Sequence, residues 1–409
     1  MKLRRCRICK NKKLEKILDL GEMPLANAFL DKNQIGQKEL SYPLGVVWCE
    51  SCGLLQIDEI VPPEVLFKNY IYASGTSEAL RKHFEGLVTE VVINFKLSNE
   101  SLIVGIGSND GTLLKEFKKV DSKVIGVEPA INIAKIAEES GVKTINDFFS
   151  EDVAKKIVKE NEKADAIIAT NVFAHIFDLD ELLKGISYLL KDDGIFVIEV
   201  PYLVDLLENV EFDTIYHEHL SYFAVRPLKR LFEERDFKIV DIERVKIHGG
   251  TIRVIVSKRK SRYNINENVN RLISLEIEKG LHEVTVYKEF AGRVEKLKED
   301  LVSLLQKLKS ENKKVIGYGA AAKGNTLLNY YHIGPELIDF IVDLSPMKQN
   351  KFTPGTHISI FSPERIYEAK PDYMLILAWN FADEIMKQQI KFKEMGGKFI
   401  IPLPEAKIV

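Results

Sequence analysis

All four cysteines of this chain fall within its first 52 residues, as Cys6-Arg-Ile-Cys9 and Cys49-Glu-Ser-Cys52. A CxxC turn aims two sulfurs at one point, and two such turns complete the tetrahedron that Zn²⁺ prefers. The 39 residues between the pairs exceed the gap of a simple zinc ribbon, so Ile17 to Val47 must form a small lobe of its own. Four sulfurs leave no position for water, so a structural Zn²⁺ on Cys6, Cys9, Cys49 and Cys52 is expected. A redox dithiol is the other chemistry open to CxxC, but it normally sits at a strand–helix junction of a βαβ unit. Cysteines gathered in one small region also argue for thiolates in a reducing cytoplasm rather than a disulfide scaffold.

From Ser101 the pattern changes to strand–helix alternation. Leu102-Ile-Val-Gly-Ile-Gly107 reads as a buried strand, with a helical stretch from Thr112 to Lys119 after Ser108-Asn-Asp-Gly111. Val124–Glu128, Ala166–Thr170 and Ile195–Val200 are further strands, apolar on both faces, which is the mark of a parallel doubly wound sheet. Phe237–Val245 and Thr251–Lys258 are joined by only five residues and must pair antiparallel. A parallel sheet that ends in an antiparallel hairpin distinguishes the class I methyltransferase core from the dehydrogenase Rossmann fold. Gly105, Gly107 and Gly111 let backbone approach a ligand closely, and Glu128 stands where an acid accepts bonds from ribose hydroxyls. NAD is the competing ligand. However, Asn109 and Asp110 occupy positions where a pyrophosphate needs bare backbone, and an acid there suits the ammonium of a methionine moiety. S-adenosylmethionine is therefore the expected cofactor.

Tyr216-His-Glu-His-Leu-Ser-Tyr222 follows the strand ending at Val200, at the edge where α/β sheets bind ligands. Asn171-Val-Phe-Ala-His175 emerges at the same edge, and His248-Gly-Gly-Thr251 lies in the hairpin turn. A metal site and a structural polar turn compete with catalysis here. Adjacent His217, Glu218 and His219 cannot all face one ion in a regular element. Acid–base chemistry needs an imidazole oriented by a partner and flanked by donors for a developing oxyanion, and the cluster offers all of these. Beyond a charged helical region from Asn266 to Ser310, Lys314-Val-Ile-Gly-Tyr-Gly-Ala320 opens a second strand–glycine–helix unit. Its strands are expected at Ile338–Asp343, Tyr373–Ala378 and Lys398–Pro402. Gly317, Gly319 and Gly324, with Lys323 and Asn325 at a helix start, make an anion cradle for a phosphate-bearing ligand.

With 409 residues and a net charge of −2, the chain is neither a nucleic-acid binder nor a protein of acidic membranes by charge. No apolar run reaches the ~18 residues a bilayer span needs, and the basic N-terminus has no apolar stretch behind it, so no secretory leader is expected. The expected organisation is a zinc-binding module at 1–72, a methyltransferase domain with a helical extension at 73–310, and a Rossmann-like unit at 311–409.

Taken together, these motifs resemble the sugar C-methyltransferases of deoxysugar pathways, which methylate carbon 3 of a nucleotide-linked 4-keto-6-deoxysugar. The resemblance runs through the two cysteine pairs, Leu20-Gly-Glu-Met-Pro-Leu-Ala-Asn27, Tyr42-Pro-Leu, Gly107-Ser-Asn-Asp-Gly-Thr-Leu-Leu114, Tyr216–Phe223, His248-Gly-Gly-Thr-Ile-Arg253 and Gly317-Tyr-Gly-Ala-Ala-Ala-Lys-Gly-Asn325. It implies that His219 is the base that removes the carbon 3 proton, which the neighbouring keto group acidifies. Tyr216, Glu218 and His175 then orient the base or meet the enolate oxygen. Tyr70 or Tyr72 closes over the sugar, with Tyr222, His248, Lys323 and Asn325 completing the substrate side. The donor side comprises Gly105, Gly107, Asn109, Asp110, Glu128, Pro129, Asp147, Phe148 and Asn171. Gly105 stands where the family usually has an acid, and Thr251 replaces a Ser. Ala321–Ala322 replaces Ala-Pro, so the choice between a dTDP- and a GDP-linked sugar is not carried over; monomer and dimer also stay open. O- or N-methylation, and a non-catalytic zinc-bearing ligand sensor, are the competing functions.

Overall fold

The computed structural model describes residues 1–67, 75, 78–247 and 249–409. The expectations for Tyr70, Tyr72 and His248 lie outside the described residues. Three sheets organise the chain. The first joins β1 (Leu14–Pro24), β2 (Ser41–Cys49) and β3 (Leu55–Ile57) as an antiparallel meander.

The central sheet contains β4 (Leu102–Ile106), β5 (Lys123–Val127), β6 (Thr144–Ile145), β7 (Ala164–Thr170) and β8 (Leu190–Pro201). Next in the chain comes the short β9 (Ser221–Tyr222), followed by the central hairpin β10 (Phe237–Val245) and β11 (Thr251–Lys258). The central order is β10-β11-β8-β7-β4-β5-β6, with β11 antiparallel to both neighbours and the other pairings parallel. This is the expected class I methyltransferase core, and both hairpin strands have the residue limits read from sequence. Every residue of β4 is buried, as a strand covered by helices on both faces requires.

β9 departs from the expectation of a self-contained zinc-binding lobe. It pairs with β3, Leu55 opposite Tyr222 and Gln56 opposite Ser221, so the central chain supplies the last strand of the N-terminal sheet. An open β3 edge would leave backbone N–H and C=O groups unpaired, and this short segment covers them.

The third sheet is formed by β12 (Val315–Tyr318), β13 (Ile341–Val342), β14 (Ile360–Phe361), β15 (Tyr373–Ile376), β16 (Lys398–Ile401) and β17 (Lys407–Ile408). Its order is β14-β13-β12-β15-β16-β17, parallel except for the last pair. The helix Val284–Ser310 buries Tyr287, Phe290, Val294, Leu297, Leu301, Leu305 and Leu308 along one stripe and touches both β1 and β12. One hydrophobic cluster runs from Cys6 through the central sheet to Leu403 and touches all three sheets, while two smaller clusters cover the opposite faces of the central and third sheets.

Candidate functional site

The four cysteine sulfurs lie within 4.8 Å of one another, with Cys6–Cys52 and Cys9–Cys49 each at 3.5 Å. Both knuckles use the same turn. Lys10 N–H bonds the Cys6 carbonyl and Gly53 N–H the Cys49 carbonyl, with Lys10 and Gly53 at φ 60° and 79°. A tetrahedron with Zn–S bonds of about 2.3 Å has edges of about 3.8 Å, so this donor set fits Zn²⁺. The hydrogen bond with Cys52 lowers Cys6 to about 5, whereas burial pushes Cys49 up to about 11, and sharing that hydrogen bond drives Cys52 higher still. Arg7, between the first two cysteines, is buried, which lowers its guanidinium to about 10; it remains charged at neutral pH.

At the ends of β4 and β5 the backbone turns tightly. Gly107 has φ 58°, and a Cβ there would lie 2.5 Å from Val172 Cγ2. Asn109 and Asn171 also adopt left-handed conformations, where Asn is among the better-tolerated side chains. Glu128 accepts N–H bonds from Asn109 and Ala130, both at 2.9 Å, and burial raises its carboxyl above the usual range. Asp110 turns inward: one oxygen accepts from the Thr112 N–H and hydroxyl, the other from Gly75 N–H. Asp147 is exposed and bonds the N–H of Phe148.

The base-rich segment splays in three directions. His217 Nε2 meets the Tyr42 carbonyl at 3.2 Å, and Glu218 accepts from the Asn27 amide at 2.6 Å. His219 Nδ1 lies 2.7 Å from the Thr214 carbonyl and Nε2 lies 3.0 Å from the Tyr216 hydroxyl. A carbonyl only accepts, so Nδ1 carries the proton and the Nε2 lone pair faces the phenol. The His175 ring centroid lies 4.9 Å from that of His219, and its buried Nε2 has no hydrogen-bond partner among the described residues. Burial lowers His175 to about 4, so its imidazole is neutral at physiological pH.

Off the cavity wall, burial raises Asp213 and Glu211 to about 6 and about 7 against the opposing charge of Lys323. Trp379 Nε1 donates to Asp213 Oδ2 at 2.6 Å, and Lys323 Nζ sits 4.5 Å above the Trp379 ring. Lys348 donates to the Ala320 carbonyl at 2.8 Å.

One cavity of about 560 Å³ joins these parts, within the usual size of a cofactor or ligand site. Gly105, Gly107, Asn109, Glu128, Pro129, Phe148 and Asn171 line its donor side. His175, Thr214, Tyr216 and His219 line the middle, and Ala321, Ala322, Lys323 and Lys348 the far side. Asn27 and Phe67 reach it from the N-terminal module. Asp110, Asp147, Glu218, Tyr222 and Asn325 are not on its wall: Tyr222 is buried beneath, and Asn325 donates to the Ala26 carbonyl at 2.7 Å. The wall residues Thr214 and Lys348 were not anticipated from sequence, nor was the contact from Asn27 to Glu218. Asn27 does stand in a recurrent motif, but no local pattern marks Lys348.

Three family profiles match in chain order: a candidate zinc binding domain over residues 6–67, a methyltransferase domain over 82–242, and a C-methyltransferase C-terminal domain over 246–404. A curated relative, the C-methyltransferase NovU of Streptomyces niveus, is 37% identical over 99% of this chain and 96% of its own. Among solved structures, a SAM-dependent methyltransferase from Archaeoglobus fulgidus is 19% identical with TM-score 0.35, covering 44% of this chain and 94% of its own. Magnesium protoporphyrin IX methyltransferase from Synechocystis is 12% identical with TM-score 0.33, covering 44% of this chain and 79% of its own. Among the described residues, no helix is long and apolar enough to cross a membrane.

Proposed function

The chain belongs to the S-adenosylmethionine-dependent C-methyltransferase family, and from that premise we propose that it deprotonates carbon 3 of a nucleotide-linked 4-keto-6-deoxysugar and methylates the enolate. The observation that carries this reading is the placement of His219. Its Nδ1 is held by the Thr214 carbonyl and its Nε2 meets the Tyr216 hydroxyl, and both residues line the cavity that the donor-side glycines also line. With Nδ1 fixed by the carbonyl, Nε2 is the ring nitrogen oriented to act as a base.

Bound S-adenosylmethionine supplies an electrophilic methyl group on a sulfonium. Gly105, Gly107 and Asn109 bring backbone close to it, and the free lone pairs of Glu128 accept the ribose hydroxyls. His219 Nε2 takes the carbon 3 proton, and the Tyr216 hydroxyl, released from Nε2, donates to the developing enolate oxygen. His175, kept neutral by burial, packs beside the base without adding a competing charge. Glu218 acts through Asn27, which it fixes at the wall. Ala321–Lys323, at the start of the helix Ala322–Tyr331, and Lys348 hold the diphosphate. Lining by all three units holds donor and acceptor against one another, so that nucleophile and methyl meet in line. We place the enzyme in the cytoplasm, where thiolate–zinc coordination persists.

A panel of dTDP- and GDP-linked 4-keto sugars, scored for a mass gain of about fourteen units (one CH₂), tests the substrate. Deuterium exchange at carbon 3 without the donor tests the enolate. A panel with no methylated product, or exchange that persists in His219→Asn, sinks the proposal.

A further inference from the structure

We infer that Arg7 is a positioning residue that ties the four-cysteine cluster to the two histidine-bearing walls of the cavity. Its place in the chain is set by the metal knuckle, between Cys6 and Cys9. Its side chain leaves that knuckle and is spent entirely on the central unit. Nη1 donates to the Ser221 hydroxyl, and Nη2 donates to the carbonyls of Ile176 and Phe177. Ser221 is two residues beyond His219, and Ile176 is the residue after His175. One guanidinium therefore grips both histidine segments.

Other contacts converge on the same joint. Leu220 N–H donates to the Ala174 carbonyl at 2.8 Å, a backbone tie between the two segments. Arg7 N–H donates to Gln56 Oε1 at 2.8 Å, and Gln56, fully buried on β3, pairs with Ser221 on β9. Ile176, Phe177 and Asp178 line the cavity. A buried guanidinium costs free energy unless its donors are matched, and its rigid planar fork fixes the acceptors it meets. Two successive carbonyls on one fork set the peptide planes just beyond His175. The metal cluster thus does more than close a lobe: it fixes the Arg7 Cα, from which the His175–His219 spacing of 4.9 Å is held.

This inference rests on residue placement and stands whichever acceptor the enzyme takes, so its test uses no sugar. Zinc content, amide hydrogen exchange and S-adenosylhomocysteine affinity are measured on the full chain and on Arg7→Ala, Arg7→Lys and Ser221→Ala. In Arg7→Ala the chain keeps one zinc, while exchange over 171–178 and 216–222 rises about tenfold and exchange over 102–128 does not change. S-adenosylhomocysteine affinity falls about fivefold, Arg7→Lys recovers only part of it, and Arg7→Ala with Ser221→Ala matches Arg7→Ala alone to within about twofold. Wild-type exchange in both histidine segments with zinc retained overturns the inference. So does loss of zinc with faster exchange confined to 6–52. If Arg7→Ala does not fold, Ser221→Ala decides: it removes only the Nη1 bond, so wild-type exchange over 216–222 overturns the inference, and raised exchange there supports it.

Discussion

The two halves of the cavity are built differently. The donor side comes from one unit, from backbone turns at the ends of adjacent strands, and the polar atoms of Glu128 are met by neighbouring N–H groups. The acceptor side is assembled from segments far apart in the chain; its wall holds a neutral His175, and Asp213 and Glu211, off the wall but opposed by the wall residue Lys323, are held far above the carboxylate range. A donor that is always the same molecule suits a rigid local cradle. A buried wall group with a nitrogen unmatched among the described residues, His175, on a surface held by several units suits an acceptor that supplies the missing contact when it binds.

The sharpest break of that comparison is His219→Asn. On the proposed mechanism turnover falls by about 10³–10⁴, while S-adenosylhomocysteine affinity, measured by calorimetry, stays within about threefold of wild type. A matching loss of affinity would mean that the two halves are not separable.

The converse change is Gly107→Ala on the donor side. A methyl at φ 58° and 2.5 Å from Val172 Cγ2 combines backbone strain with overpacking, about 4 kcal/mol together. The melting temperature and S-adenosylhomocysteine affinity should fall together, with affinity for the sugar nucleotide affected least.

How much of each half could be read from sequence follows the same divide. The helix Thr112–Lys119, the β10–β11 hairpin and the four sulfurs were all legible, because a glycine, a short connection or a CxxC turn encodes each within a few residues. The expected strand Ile338–Asp343 shrinks to Ile341–Val342, and Lys398–Pro402 stops at Ile401 before a proline that has no N–H. Asn325 looked like part of an anion cradle but spends its amide on Ala26, 299 residues away. The carboxylate of Glu218, beside the base, turns to Asn27, 191 residues away. No local periodicity reports such pairings, so the acceptor half was legible as a set of residue types and not as a geometry.

Glu211→Gln probes the cost stored in that half. A carboxyl raised to about 7 from an ordinary 4.5 binds its proton more tightly when folded. Its contribution is therefore fully present below pH ~4.5 and is lost as pH rises through ~7, by up to about 3 kcal/mol. Glutamine lacks this loss, so the variant should gain stability relative to wild type between pH 5 and 8, read as a widening gap in denaturant midpoint. His175, lowered to about 4, has the opposite sign: its contribution holds above pH ~6.5 and is lost as pH falls through ~4. A gap that stays flat on going alkaline would show that Glu211 is ionised at no cost, and one that narrows would reverse the direction of its shift.

The smallest effect expected is from Lys348→Ala, and it asks whether the acceptor half has a part that binds without helping the chemistry. Lys348 is anchored to the Ala320 carbonyl and lies 3.6 Å from Asp343, so its charge is already half-balanced before any ligand arrives. It lines the cavity beside Ala321–Lys323, yet no contact joins it to His175, Tyr216 or His219 among those described. A cation in that position stabilises a bound diphosphate equally in the ground and transition states, and uniform binding of this kind appears in KM rather than kcat. The expected result is KM for the sugar nucleotide up about tenfold with kcat within about twofold, about 1.4 kcal/mol of binding. Lys323 stands over Trp379 and near two buried carboxylates, so Lys323→Ala should raise KM and also push Asp213 and Glu211 further up, which Lys348→Ala should not do. A fall in kcat for Lys348→Ala would move it from holding the diphosphate to shaping the reacting end, and the acceptor half would then have no purely binding part.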